Sequence, residues 1–404
     1  NRYDFTNLSE FEILYTVECD SKTICEGKAA NSTLRPHASK KLTLKYDLPK
    51  TCRLGCYLNI FVALKKDTLW AKAGYEVASA QFELPVKVCG ELESTSFGKI
   101  EKTENNEFIT VTGYNFKYVF NKYYNSFERL ETNGCNILAE GTQYSTKRAA
   151  IDNFGAIRRQ WKIPQGETSR YDINEIARVK TSCVKSHIDN DGSCVIDVHC
   201  ALTTPGRTNI YDDIYTRYII KKNGIITTSV SVSKCNLETV PRFGMEIALA
   251  DSKDIVEYFG MGPEENYLDM NRHTKVGLYK TTAEDMHFPY IRPQDCGNRT
   301  NVKMVCVYDI TGRGIIVSSK GNFEFAASKY TEEEISLAQH QWDLKPGTKT
   351  YIRIDYKTTG VGSGGLKQFT ADKYMLKNES FTYSFDMLPV ILGNDRPIDL
   401  IKEK

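Results

Sequence analysis

The stretch YFGMGPEENY, Tyr258 to Tyr267, gathers residue types that can do chemistry: two glycines two apart, a proline and two adjacent acids between aromatics. A dinucleotide loop would need G-x-G-x-x-G opening a helix after a strand, so that helix N–H groups hold a pyrophosphate. Here Pro263 follows the second glycine, no third glycine arrives, and the Gly-Lys-Ser/Thr of a P-loop is absent. A carboxylate pair that cuts a glycosidic bond with retention must face that bond from about 5–5.5 Å apart. Glu264 and Glu265 are neighbours, and neighbours in a strand point to opposite faces. The leading reading is therefore conformational: glycines for tight backbone, Pro263 for a fixed φ, and an acid for buried hydrogen bonds.

Other candidates are weaker. DNDGS, Asp189 to Ser193, spaces its acids like the start of a calcium loop, but position twelve is Cys200 where a glutamate is needed, so a hairpin turn is expected. The six histidines are scattered, and no H-x-x-x-H or Gly-x-Ser-x-Gly occurs. Twelve cysteines form no C-x-x-C and no zinc spacing, which favours core thiols in a reducing cytoplasm over a disulfide scaffold. Sequons at Asn31, Asn298 and Asn378 would matter only in a secreted eukaryotic chain. The glycine-rich TTGVGSGGLKQF, Thr358 to Phe369, reads either as a flexible connection or as backbone brought close to a ligand.

The elements that must position these residues are strands. Alternation with period two runs through FEILYTVEC, KLTLKYD, ITVTGYNFKYVF, SCVIDVHCAL, YTRYIIKK, MVCVYDI and YIRIDYK. Asn133-Gly134, Asp191-Gly192, Asn223-Gly224 and Pro346-Gly347 supply turns. Helix signals are few; the clearest is the Thr331/Glu334 capping box in KYTEEEISLAQHQW. Strands do not alternate with long helices, which excludes a parallel α/β sheet and a (β/α)₈ barrel. A boundary is expected in KVCGELESTSFGK, giving a first domain of the size of an immunoglobulin-like sandwich over 1–88 and a large antiparallel β-sandwich over 96–404. The net charge of +2, with no long basic block, argues against a nucleic-acid partner, and no apolar run is long enough for a membrane helix. The start NRYDFTNLSEF has no signal-peptide core and reads as a cut point or a processed end.

Taken in order, the segments resemble the C-terminal part of the bacterial β-galactosidases of glycoside hydrolase family two. YFGMGPEENYLDM is similar to that family's G-x-G-P-x-E-x-Y signature. DMHFPYIRPQDCGNRT resembles the segment that follows it, and FEFAASKYTEEEISLAQHQWDL the strand and short helix after that. KRAAIDNFG resembles R-A-P-x-D-N-D, and TVPRFGMEIAL the strand leading into the signature. FTNLSEFEILYTVECDSKTICEG and WAKAGYEVASAQFEL resemble the opening and close of the family's fourth domain.

The resemblance implies an all-β chain: an immunoglobulin-like β-sandwich followed by a galactose-mutarotase-like supersandwich. It also implies that the catalytic barrel, with both carboxylates and a divalent metal such as magnesium, lies outside this chain. No catalytic residue, metal ligand or cofactor is therefore expected here. The implied role is a non-catalytic portion of a cytoplasmic enzyme that hydrolyses terminal β-galactosides with retention. It would complete the aglycone rim, pack on the parent's barrel and support a homo-oligomer. Alternatives are a stand-alone carbohydrate-binding module or the small subunit of a two-chain glycosidase.

Rim residues implied by the resemblance are Asp152, Asn153 and Arg158 in one loop, and Gly362, Ser363, Lys367 and Phe369 in the glycine loop. The sequence departs from the family at both: Ala150 stands for the proline of R-A-P and Phe154 for its last Asp. Leu366 and Lys367 stand where relatives carry Trp or Cys-Gly, and Asp295-Cys296-Gly297 stands for E-N-G. These departures bear on lactose-type specificity, with Lys367 or Phe369 as replacement contacts.

Overall fold

Alternating apolar residues with β-branched and aromatic content can bury one face of a pleated strand, and most of this chain does so. The computed structural model describes residues 1–30, 33–94, 98–155, 162–165, 169–172, 178–203, 209–250, 252–362, 370–377 and 379–403. The fold is all-β and overwhelmingly antiparallel. The chain divides into two units, Asn1–Glu91 with Val276–Leu278 and Lys402–Lys404, and Leu92–Lys275 with Tyr279–Ile401.

In the first unit, β1 (Phe11–Cys19), β2 (Lys22–Lys28), β3 (Cys56–Leu64) and β4 (Glu76–Glu83) form one antiparallel sheet in the order β2-β1-β3-β4. Tyr15, Val17 and Cys19 alternate onto its buried face, where Leu58 and Val86 join them. The strand expected in KLTLKYD does not form: the segment joins no sheet. Leu44 and Tyr46 still pack on the core, and the Tyr15 hydroxyl donates to the Lys45 carbonyl at 3.0 Å.

The expectation that the cysteines are core thiols holds for Cys52, Cys194, Cys200, Cys235 and Cys306, but Cys183 is exposed, Cys25, Cys89, Cys135 and Cys296 are half-buried, and two more are bonded. Cys19 and Cys56 lie directly opposite in the β1–β3 register and form a disulfide with Cα atoms 4.1 Å apart. Facing positions of an antiparallel pair bring two Cβ atoms within bridging range. The other ten cysteines form no disulfide.

The second unit opens with a five-stranded meander of β5 (Glu101–Glu104), β6 (Phe108–Thr112), β7 (Phe116–Asn121), β8 (Ser126–Thr132) and β9 (Cys135–Asn136). A twelve-stranded sheet follows. Its strands include β10 (Gln143–Ser145), β11 (Arg178–Ile188), β12 (Cys194–Thr203), β13 (Asn209–Ile220), β14 (Ile226–Val232) and β15 (Arg242–Leu249). Further along come β16 (Ile255–Gly262), β17 (Lys275–Thr282), β18 (Arg299–Tyr308), β19 (Arg313–Ser328), β20 (Thr350–Thr358) and β21 (Phe381–Ile391).

The main path runs β10-β15-β20-β19-β21-β14-β13-β12-β11. The long β19 joins two regions: Arg313–Ser318 pairs with β21, whereas Glu324–Ser328 pairs with β20. Side chains of the meander and the large sheet share one core, with Phe120, Phe127 and Tyr218 in mutual ring contact at its centre. The capping box forms as expected on the short helix α1 (Glu332–Leu337): the Thr331 hydroxyl accepts from the Glu334 N–H at 3.1 Å, and the Glu334 carboxylate accepts from the Thr331 N–H at 2.8 Å. DNDGS is the β11–β12 hairpin turn, with Gly192 at φ +80°.

Candidate functional site

Strands bury charge only where it is paired, because an isolated ion loses its hydration. YIRIDYK in β20 alternates Ile352 and Ile354 with Arg353 and Asp355, and all four are buried. Both faces of this strand are covered, so its charged face must find partners inside the unit. Arg242, at the start of β15, donates to Asp355 at 2.5 Å and also to the Lys147 carbonyl. Arg353 donates to Asp295 at 3.0 Å and to Glu332 of α1. Arg148 donates through Nε to Asp295 at 2.7 Å and through Nη1 to the Thr359 carbonyl. Three arginines thus face four carboxylates, because Arg242 also donates to Glu246 at 3.4 Å.

Asp295 is its hub. Arg148 and the Tyr267 hydroxyl donate to one oxygen, at 2.7 and 3.1 Å, and Arg353 donates to the other. Burial pushes the Asp295 carboxyl up, but Arg148 and Arg353 outweigh it and hold the acid below the usual carboxylate range. An acid kept ionised and saturated with donors is a poor proton shuttle; it anchors. Glu332 sits in the first turn of α1, where the helix end favours an anion, and it also accepts the Ala149 N–H at 2.6 Å.

The GMGPEENY stretch feeds this hub. Glu265 accepts from the Tyr290 hydroxyl and from the Gly297 N–H at 2.8 Å. Asn266 is fully buried; its amide donates to the Met261 and Glu264 carbonyls at 3.0 Å, and its oxygen accepts from the Thr300 N–H and hydroxyl. Of the two acids, Glu265 holds the loop with its side chain, whereas Glu264 serves through its carbonyl and exposes its side chain. The peptide bond between Gly262 and Pro263 is cis.

Two loops rest on the hub side by side. The first, residues 149–155, is tied by Glu332 at Ala149, by Gln294 accepting the Asp152 N–H at 3.0 Å, and by the Asn153 amide donating to the Val361 carbonyl at 3.0 Å. The second begins where Arg148 holds the Thr359 carbonyl, and continues with Asp269 accepting the N–H groups of Val361 and Gly362, each at 2.9 Å. A Cβ at Gly360 would lie 2.5 Å from the Asp269 carboxyl, and Gly362 has φ +102°, so this cradle needs glycine at both places. The structure therefore brings Asp152, Asn153 and Gly362 together. Arg158, Ser363, Lys367 and Phe369 lie outside the described residues.

Among the described residues of this site no nucleophile is poised. Cys296 lies 3.5 Å from Nδ1 of His287 and accepts the Phe288 N–H at 3.4 Å, but burial pushes its thiol up to about 12. Among the described residues no group of three or more His, Cys, Asp or Glu could hold a metal ion, and no helix is long and apolar enough to cross a membrane. Asn298 is fully buried and donates to Glu324 at 3.0 Å, so that sequon is closed to a glycan in the folded chain. Sequence reasoning missed the three arginines. The available signal was the charged pair inside YIRIDYK, spaced to share one face of a strand whose other face is isoleucine.

The fold and site define an all-β, charge-anchored scaffold with two loops gathered at one place. Residues 112–387 match the family described as Beta galactosidase small chain, and residues 1–85 match Beta-galactosidase, domain 4. The chain belongs to the Beta galactosidase small chain family.

A β-galactosidase of Priestia megaterium is 28% identical over 395 residues, covering 96% of this chain and 37% of the relative. One from Actinobacillus pleuropneumoniae is 27% identical with the same coverage of each chain. The chain thus spans 37% of the length of these curated relatives. Among solved structures, a galactose mutarotase related enzyme from Lactobacillus acidophilus aligns with 73% of this chain and 99% of its own, at 10% identity and a TM-score of 0.38.

Proposed function

We propose that this chain is a non-catalytic C-terminal portion of a β-galactosidase-type glycoside hydrolase of family two, and that its two gathered loops complete the aglycone rim of the parent's active site. The observation that carries the reading is the cradle of Asp269 and Asn153 on the Val361–Gly362 backbone, fixed from below by Arg148 and Asp295. A rim acts by orienting the leaving sugar, and that requires rigid support without reactive groups. In this reading the parent's barrel supplies the two carboxylates of a retaining mechanism and binds the divalent metal, magnesium being the natural candidate. The partners of this chain are that barrel, a galactoside-type carbohydrate and further copies of the parent in a homo-oligomer. The Cys19–Cys56 bond argues for an oxidising compartment and against the cytoplasmic one expected from the sequence.

The test is reconstitution. The purified chain should not turn over nitrophenyl β-galactoside, and the parent's remaining portion should gain activity when this chain is added. Turnover by the pure chain, or a remaining portion fully active without it, overturns the reading.

A further inference from the structure

We propose that the outward face of strands β11 to β14 is a separate binding groove for a neutral carbohydrate ring, with Tyr215 as its stacking wall. The registers lay out this face as cross-strand rows. One row reads Cys183, His199, Tyr215, Ser231 and then Thr382 on β21; the next reads Lys185, Asp197, Arg217, Ser229 and Ser384. The alternate residues of β12 and β13 point into the core, so these side chains stand on the other side of the sheet.

The rings of His199 and Tyr215 are parallel within 5°, with centroids 4.4 Å apart. His199 is fixed by Asp213, 2.8 Å from its Nε2. One face of Tyr215 is therefore covered by the imidazole, and strand order turns its other face toward Ser231. Ser231 and Thr382 are small, exposed and joined by a 3.0 Å hydroxyl contact, so Tyr215 stands as a wall over a low hydroxyl floor. Tyr215 is 54% exposed. The groove over this face has a volume of about 480 Å³, within the range that holds a small ligand.

Its chemistry selects the ligand. Lys185 and Arg217 are balanced by Asp197 and Asp213, and Arg217 is already engaged by both oxygens of Asp197 at 2.7 and 3.2 Å. A balanced, paired set gives no preference for an anion or a cation. A half-exposed aromatic wall beside serine and threonine hydroxyls suits a ring with apolar C–H faces and an equatorial rim of hydroxyls, which is a pyranose. The proposal stands on this face alone and does not rest on the parent assignment.

The test is saturation-transfer NMR on the 404-residue chain, with lactose, maltose and cellobiose as probes at millimolar concentration. The expected result is transfer to ring protons of at least one disaccharide. It should weaken by about tenfold or vanish in Tyr215→Ala and in Ser231→Trp, which fills the floor, and persist in Tyr114→Ala, which removes an exposed ring in the β6–β7 turn. Unchanged urea midpoints show that both groove variants fold. Absence of transfer from all three probes overturns the proposal, as does transfer that survives Tyr215→Ala. Transfer lost only in Asn153→Ala places the sugar at the loop cradle and overturns the groove. Self-association of the chain that dissociates in Tyr215→Ala marks the face as a protein interface and also overturns it.

Discussion

Asp295 stands where the family's pattern has a glutamate, and from sequence this substitution bears only on specificity. In the fold it is the anion shared by Arg148 and Arg353. Asp295→Asn keeps the shape but removes the anion that Arg148 and Arg353 share, leaving Arg353 to Glu332, and breaking a buried pair costs about 3–5 kcal/mol. Urea denaturation should show a loss of that size, and a change below about 1 kcal/mol would mean the arginines are satisfied elsewhere.

Glu324 has the opposite sign. Burial raises its carboxyl to about 7, with the Asn298 amide pulling it back and Asp355 adding to the rise. The folded state then binds more protons than the unfolded one between the ordinary glutamate range and pH 7, so stability falls as pH rises through that window and stays lower above it. Glu324→Gln keeps an oxygen for Asn298 and removes the titration. It should gain up to about 3 kcal/mol over the wild type above pH 7, and little at pH 4.5. Equal stability gaps at the two pH values would exclude Glu324 as the titrating group.

At the scale of elements, period and turn chemistry made much of the fold legible. The β11–β12 hairpin at Asp191-Gly192 and the Thr331 capping box lie where their residue types require. KLTLKYD shows where pattern runs out: alternation places Leu44 and Tyr46 inward, but a strand also needs an edge to pair with, and that is a tertiary property. The disulfide was illegible for the same reason. Cys19 and Cys56 are 37 residues apart, and only the β1–β3 register sets them face to face. Closing a loop of that length stabilises by about 3–4 kcal/mol in the chain-entropy picture. Alkylation of the denatured, unreduced chain followed by mass spectrometry should label ten of the twelve cysteines, and all twelve after reduction. Twelve labels without reductant would remove the bond, and with it the case for an oxidising compartment.

At the scale of the molecule, the order of segments carried the family, and the match over residues 112–387 agrees with it. The candidate rim residues were only half legible. Asp152, Asn153 and Gly362 meet, and what joins them is Asp269 and Arg148, residues of two quoted segments whose meeting only the fold brings about. In the parent enzyme this arrangement makes a sharp prediction. If the cradle orients the leaving sugar, Asn153→Ala and Asp269→Ala should lower kcat/KM for lactose by about tenfold to a hundredfold, the range expected when a positioning contact is lost. Nitrophenyl β-galactoside has no sugar aglycone to orient, so its kcat/KM should change much less. A structural collapse would depress both substrates equally, and an unchanged lactose constant would separate these loops from the active site. The ratio of the two substrates therefore distinguishes a rim from a mere support.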